Sequence, residues 1–196
     1  MDRFHCLIAV LVLVVPSQSK TLGRSDPVIA KGSVSADAVS VYRGFFHWYS
    51  HGKPVAPELA NVTYAHDAVR DLEGSDCLQG ITLERGSSNT VHRLTYRVAK
   101  GTQVRMVDGK RRLATIKRDA APDPMLRGKL PDDAFKTAFP SGVLNISEVI
   151  FDQIHSFAVM SYSFHCGSLC GGGGTLAFKR VGTSWVVSGL CETTIY

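Results

Sequence analysis

The chain has 196 residues, 44% hydrophobic and 9% aromatic, and a formal net charge of +5. That balance excludes an intrinsically disordered chain and fits one domain with its own core. The basic residues are spread rather than gathered into a stripe, so nucleic acid is not the expected partner.

The first segment reads as a signal peptide over residues 1–19. Cys6 to Val15 is an unbroken apolar run, Pro16 ends it, and Ser17 and Ser19 place small residues where cleavage after Ser19 is expected. The charged part before the run is weak, because Arg3 is offset by Asp2. The run is too short to cross a bilayer, which takes about 20 apolar residues. No later segment is long and apolar enough, so the mature chain is expected to lack a transmembrane segment and to be secreted or periplasmic. Residues 20–34 mix Gly, Ser, Pro and Lys without periodicity and read as a flexible lead-in. Residues 35–196 read as a single domain.

From Ser35 the pattern becomes helical. Ser35 can cap, Asp37 suits the positive end of a helix dipole, and Val41, Phe45, Trp48 and Tyr49 share one face. Gly52 and Pro54 end the segment, so the spacing predicts an amphipathic helix over 36–50. Tyr64 to Leu72 reads as a short helix, and 81–83 and 91–98 as strands. Asp108-Gly109 between the apolar runs 104–107 and 113–116 is a hairpin signal, with Lys110, Arg111 and Arg112 as a solvated turn. Pro131-Asp132-Asp133 opens a short helix through Ala138.

The last third is strand-like. Residues 146–151 form one strand. Residues 157–165 carry apolar groups on both faces and read as a central strand. Residues 175–179 and 185–187 follow, with a turn at Gly182-Thr183-Ser184. The expected fold is α+β: an antiparallel C-terminal meander with one main helix packed on it.

Without Cys6, four cysteines remain: Cys77, Cys166, Cys170 and Cys191. An even number in an exported chain points to disulfides, with three possible connectivities. A Cys166–Cys170 bridge would close a tight loop at a hairpin tip, with Gly171 to Gly174 supplying positive φ angles. Cys77–Cys191 is compatible with it, and a mixed pairing of Cys77 with Cys166 or Cys170 stays open. Cys-x3-Cys beside His165 is within zinc-ligand spacing, but neighbouring strand residues face apart, so no metal is expected. Catalytic cysteine pairs sit at helix N-termini, which this segment lacks. The glycine run lacks the ending of a phosphate loop, so no cofactor is expected.

The histidines offer weaker signals. His47 and His51 lie one helical turn apart without the intervening Glu of a zinc protease. His66, His92 and His155 could meet carboxylates only through the fold. Asn61-Val62-Thr63 and Asn145-Ile146-Ser147 are glycosylation sequons.

Tyr162 to Phe164, Cys166-Gly167-Ser168-Leu169-Cys170-Gly171-Gly172-Gly173, Thr175 to Lys179 and Gly182 to Trp185 together resemble a family of uncharacterised exported bacterial proteins. Val41 to Tyr49, Cys77-Leu78 and Cys191 extend the resemblance over most of the mature chain. His165 departs from the pattern, and the fourth glycine is extra. The resemblance implies export to a periplasm or cell surface and carries over no catalytic residue. The functional expectation is an exported binding or envelope-associated domain whose hairpin tip presents Ser168 and Leu169 to a protein or small-molecule ligand. The alternative is a secreted hydrolase with a histidine–carboxylate site assembled by the fold.

Overall fold

A computed structural model describes residues 28–51, 58–64, 72, 76–78, 80–84, 90–102, 104–119, 142–166 and 171–195. The signal segment, the predicted helices over 64–72 and 131–138 (save for Tyr64 and Leu72), and Cys170, Ser168 and Leu169 of the tip lie outside them.

The fold is sheet-rich and mixed α/β, with mostly antiparallel pairing. In chain order the elements are β1 (Val28–Ile29), α1 (Ala36–Ser50), β2 (Glu58–Ala60), a 3-10 turn (Asp76–Leu78), β3 (Thr90–Val91), α2 (Tyr96–Ala99), β4 (Arg105–Val107), α3 (Gly109–Asp119), β5 (Val143–Ile146), β6 (Ile150–Phe151), β7 (Phe157–His165), β8 (Gly171–Val181) and β9 (Ser184–Ile195). The main sheet runs β4-β2-β5-β7-β8-β9, with β6 also on β7. β2 pairs parallel with β4 and β5, and the other pairs in this sheet are antiparallel. β1 and β3 form a separate parallel pair.

Ser35 starts α1 by accepting a hydrogen bond from the Ala38 N–H at 3.1 Å, satisfying an otherwise orphaned donor of the first turn. The helix buries Ala38, Val41, Tyr42, Phe45, Phe46 and Tyr49, a stripe wider than the sequence pattern marks. These pack on Ala158, Met160 and Phe164 of β7, Leu176 and Phe178 of β8, and Trp185 of β9. The Tyr42 hydroxyl, fully buried, donates to the Ser147 carbonyl at 3.0 Å. Burial, with Glu148 adding to it, raises its pKa well above that of a free phenol.

The other sheet face carries a smaller cluster of Leu72, Leu83, Ile150 and Val159. There Cys77 and Cys191 are joined, with sulfurs 2.04 Å apart across a sequence separation of 114. Cys166 is also disulfide-bonded. Both faces of β7 are thus covered, which explains its two apolar faces. Within the sheet, the buried hydroxyls of Ser161 and Thr175 satisfy each other at 2.7 Å.

Asp108-Gly109 is not a hairpin turn. The Asp108 carboxylate accepts the Arg111 N–H at 3.0 Å and its carbonyl the Arg112 N–H at 2.8 Å, so it starts α3. Gly109 is needed for proximity rather than for a turn, because a Cβ there would lie 2.6 Å from that of Ala60. The basic cluster is therefore helical, and Arg112 pairs with the buried Glu58 of β2, as does Arg105. Two cations around one buried carboxylate offset its desolvation.

Three more expectations change. Residues 91–98 are not a strand, since β3 ends at Val91 and α2 follows. The strand over 146–151 is interrupted: Ile146 pairs with Tyr162 and Ile150 with Val159, so three residues face two. This bulge turns Glu148 out of the ladder. Gly171 to Gly174 do not form a loop but pair within β8 to β7 and β9. The glycines with positive φ among the described residues are Gly80, Gly101 and Gly182. Gly173 and Gly174 are instead required by close backbone approach, since a Cβ would lie 2.4 Å from the Tyr162 carbonyl oxygen or 2.3 Å from that of Glu192.

Candidate functional site

An open groove of about 960 Å³ lies between one flank of α1 and the start of β9. Helix periodicity places Ser40, Arg43, Gly44, His47 and Trp48 along this flank, with His51 just beyond the helix end. Thr183, Ser184 and residues 185–187 form the opposite wall, and Tyr49 and Tyr162 reach it from the core side.

Gly44 sets the spacing of the walls. The helix backbone rests on the Trp185 carbonyl, and a Cβ at 44 would lie 2.3 Å from that oxygen. Toward the C-terminal end of α1 the groove is aromatic. Trp48 stands edge-on to Tyr162 with centroids 6.0 Å apart, and Tyr162 lies 5.4 Å from Phe45 and 5.7 Å from Tyr49. Trp48 is 37% exposed and lines the groove. Burial, helped by the neighbouring Tyr162, pushes the Tyr49 phenol far above its ordinary value, and burial alone raises Tyr162. Both stay neutral at physiological pH. Among the described residues, the ionisable rim is Arg43, His47 and His51, and no Asp or Glu lines the groove.

Two histidine–carboxylate pairs lie elsewhere. His92 Nδ1 is 3.0 Å from Glu148 Oε2, its backbone N–H donates to Glu148 Oε1 and Thr63 Oγ1 at 2.8 Å each, and the Thr63 hydroxyl contacts the same carboxylate. The β5–β6 bulge brings Glu148 to that spot. His155 Nδ1 is 2.9 Å from Asp37 Oδ2, and Arg180 approaches the same oxygen at 3.7 Å. The His155 ring stacks on Phe151 at 4.5 Å, and its φ of 52° is left-handed. This second pair clamps the first turn of α1 to the β6–β7 turn and β8. Neither pair lines the groove.

No protein-family model, curated protein or solved structure matches the chain.

The sequence-predicted sites separate accordingly. Cys77 and Cys191 meet on the face away from α1, while His47 and His51 share the groove rim. His66 lies outside the described residues, as do Ser168 and Leu169. His165 and Cys166 lie at the far end of β7. Among the described residues, no group of three or more His, Cys, Asp or Glu could hold a metal ion, and no helix is long and apolar enough to cross a membrane. Sequence reasoning missed the groove, although Trp48 was visible as one of four apolar residues on one face of α1.

Proposed function

We propose that the chain is an exported, disulfide-stapled domain that binds a small ligand in the α1–β9 groove. The observation that carries this reading is the half-open aromatic cluster of Trp48 and Tyr162 in a groove of ligand size. The C-terminal meander and α1 are the rigid scaffold, and the apolar segment at 6–15 with the Cys77–Cys191 bridge supports export. The family resemblance of the Phe151–Trp185 segment also supports export. In a thermal-shift screen of small organic compounds, hits raise the melting temperature of the native chain. Ser184→Trp, which fills the groove from its exposed rim, removes those shifts. A screen without hits, or hits indifferent to the plug, would count against the reading.

The hydrolase alternative rests on His92. With Nδ1 held by Glu148, its other ring nitrogen has the tautomeric support of a general base. It predicts turnover of simple ester substrates that His92→Gln abolishes. Esterase activity unchanged by that variant removes this alternative.

A further inference from the structure

We infer that the groove selects an anion carried on a flat aromatic body, such as an aryl carboxylate. This rests on the groove being the binding site and adds the chemical class of its ligand.

Arg43 and His47 lie one helical turn apart on the flank of α1 that faces the groove, and His51 lines the same groove just beyond the helix end. Among the described residues, every ionisable rim side chain can therefore carry positive charge or donate N–H bonds, and no carboxylate lines the groove opposite them. Among the described residues, the lining contains no Asn, Gln, Asp or Glu, the side chains that recognise the hydroxyls of a neutral polyol. The hydroxyl groups of the described lining are those of Ser40, Thr183, Ser184 and the two tyrosines. Arg43 uses one N–H on the Arg97 carbonyl at 3.1 Å, and a guanidinium has others to offer. The C-terminal carbonyls of α1 carry partial negative charge, which weakens an anion site within the last turn. Arg43 lies before that turn, to which His47 belongs, so the anionic group belongs beside Arg43, with His47 one turn further along. A ring attached to it then reaches Trp48 and Tyr162, whose faces complete the site. The chain's net charge of +5 adds a long-range bias of the same sign.

Calorimetric titration of the full oxidised domain with 2-naphthoate and with neutral 2-naphthalenemethanol tests this. Naphthoate binds at least tenfold more tightly, and added salt narrows the gap. Arg43→Gln combined with His47→Gln brings naphthoate down to the affinity of the alcohol, His51→Gln has the smaller effect, and Trp48→Leu weakens both compounds. All these side chains are exposed, so the variants fold. Equal affinities, or naphthoate binding untouched by the double variant, overturn the anion assignment; the groove reading survives if Trp48→Leu still weakens both. Absence of binding by either compound, or indifference to Trp48→Leu, sinks both.

Discussion

Gly44→Ala inverts the ordinary effect of that substitution in a helix. At an exposed position the change stabilises by about 1 kcal/mol, because alanine loses less backbone entropy. Here the new Cβ would sit 2.3 Å from the Trp185 carbonyl oxygen and 3.2 Å from its carbon. Ordinary contact is about 3.5 Å, so the helix must lift from β9 by roughly 1 Å. The obstacle is backbone in a paired strand rather than the end of a flexible side chain. The cost therefore lies toward the upper end of the about 1–3 kcal/mol typical of overpacking. The net expectation is destabilisation by about 1–2 kcal/mol, a melting temperature lower by about 2–8 °C for a domain of this size. Urea unfolding followed by far-UV circular dichroism measures it, with Ser40→Ala on the same helix as the control. A Gly44→Ala protein as stable as the native one, or more so, would refute the close packing of α1 on β9 and with it the geometry of the groove.

Other consequences are measurable in the same way. Cys77→Ser with Cys191→Ser removes a crosslink over a separation of 114 residues; a loss of about 4–5 kcal/mol in urea unfolding is expected from loop closure. Burial pushes the Asp152 carboxyl up, but hydrogen bonds from the Phe157 N–H and from the Ser156 hydroxyl and N–H outweigh it and hold the pKa below its usual value. A folded pKa below the unfolded one contributes stability above the unfolded value, about 3.9, and loses it as pH falls through the folded one. Asp152→Asn therefore lowers stability at pH 7 and converges with the native protein in strong acid; a constant difference across that range contradicts the assignment. The raised phenols of Tyr42, Tyr49 and Tyr162 have the opposite consequence. They favour the folded state below the unfolded phenol value of about 10 and cost stability as pH climbs beyond it. Absorbance titration at alkaline pH should show Tyr42 and Tyr49 ionising only with unfolding, and early ionisation of all six tyrosines would refute the burial of these two.

The sequence carried local features well and long-range ones poorly. The span of α1, its Ser35 cap, the two-faced β7 and the turn beginning at Gly182 follow from periodicity, capping and turn chemistry acting over a few residues. Asp108-Gly109 misled because the same pair serves a hairpin or a helix start, and the choice was made by Ala60, a contact invisible in sequence. The glycine run misled similarly. Its residues answer to the carbonyls of Tyr162 and Glu192 on neighbouring strands, not to a local turn. The parallel pairing of β2 with β4 and β5 leaves no pattern in segments of three or four residues. The groove joins Trp48 to Tyr162 and Arg43 to Thr183, and the His92–Glu148 pair spans 56 residues. Such meetings are made by topology, so the chemistry-bearing residues were visible while their company was not.

An amide-shift titration of isotope-labelled oxidised protein with 2-naphthoate tests the binding site most directly. The shifts are expected to concentrate in Ser40 to His51 and Thr183 to Val187, saturating together. Shifts centred on Ser168 and Leu169 or around His92 and Glu148, with the α1 flank unmoved, would contradict the groove as the ligand site.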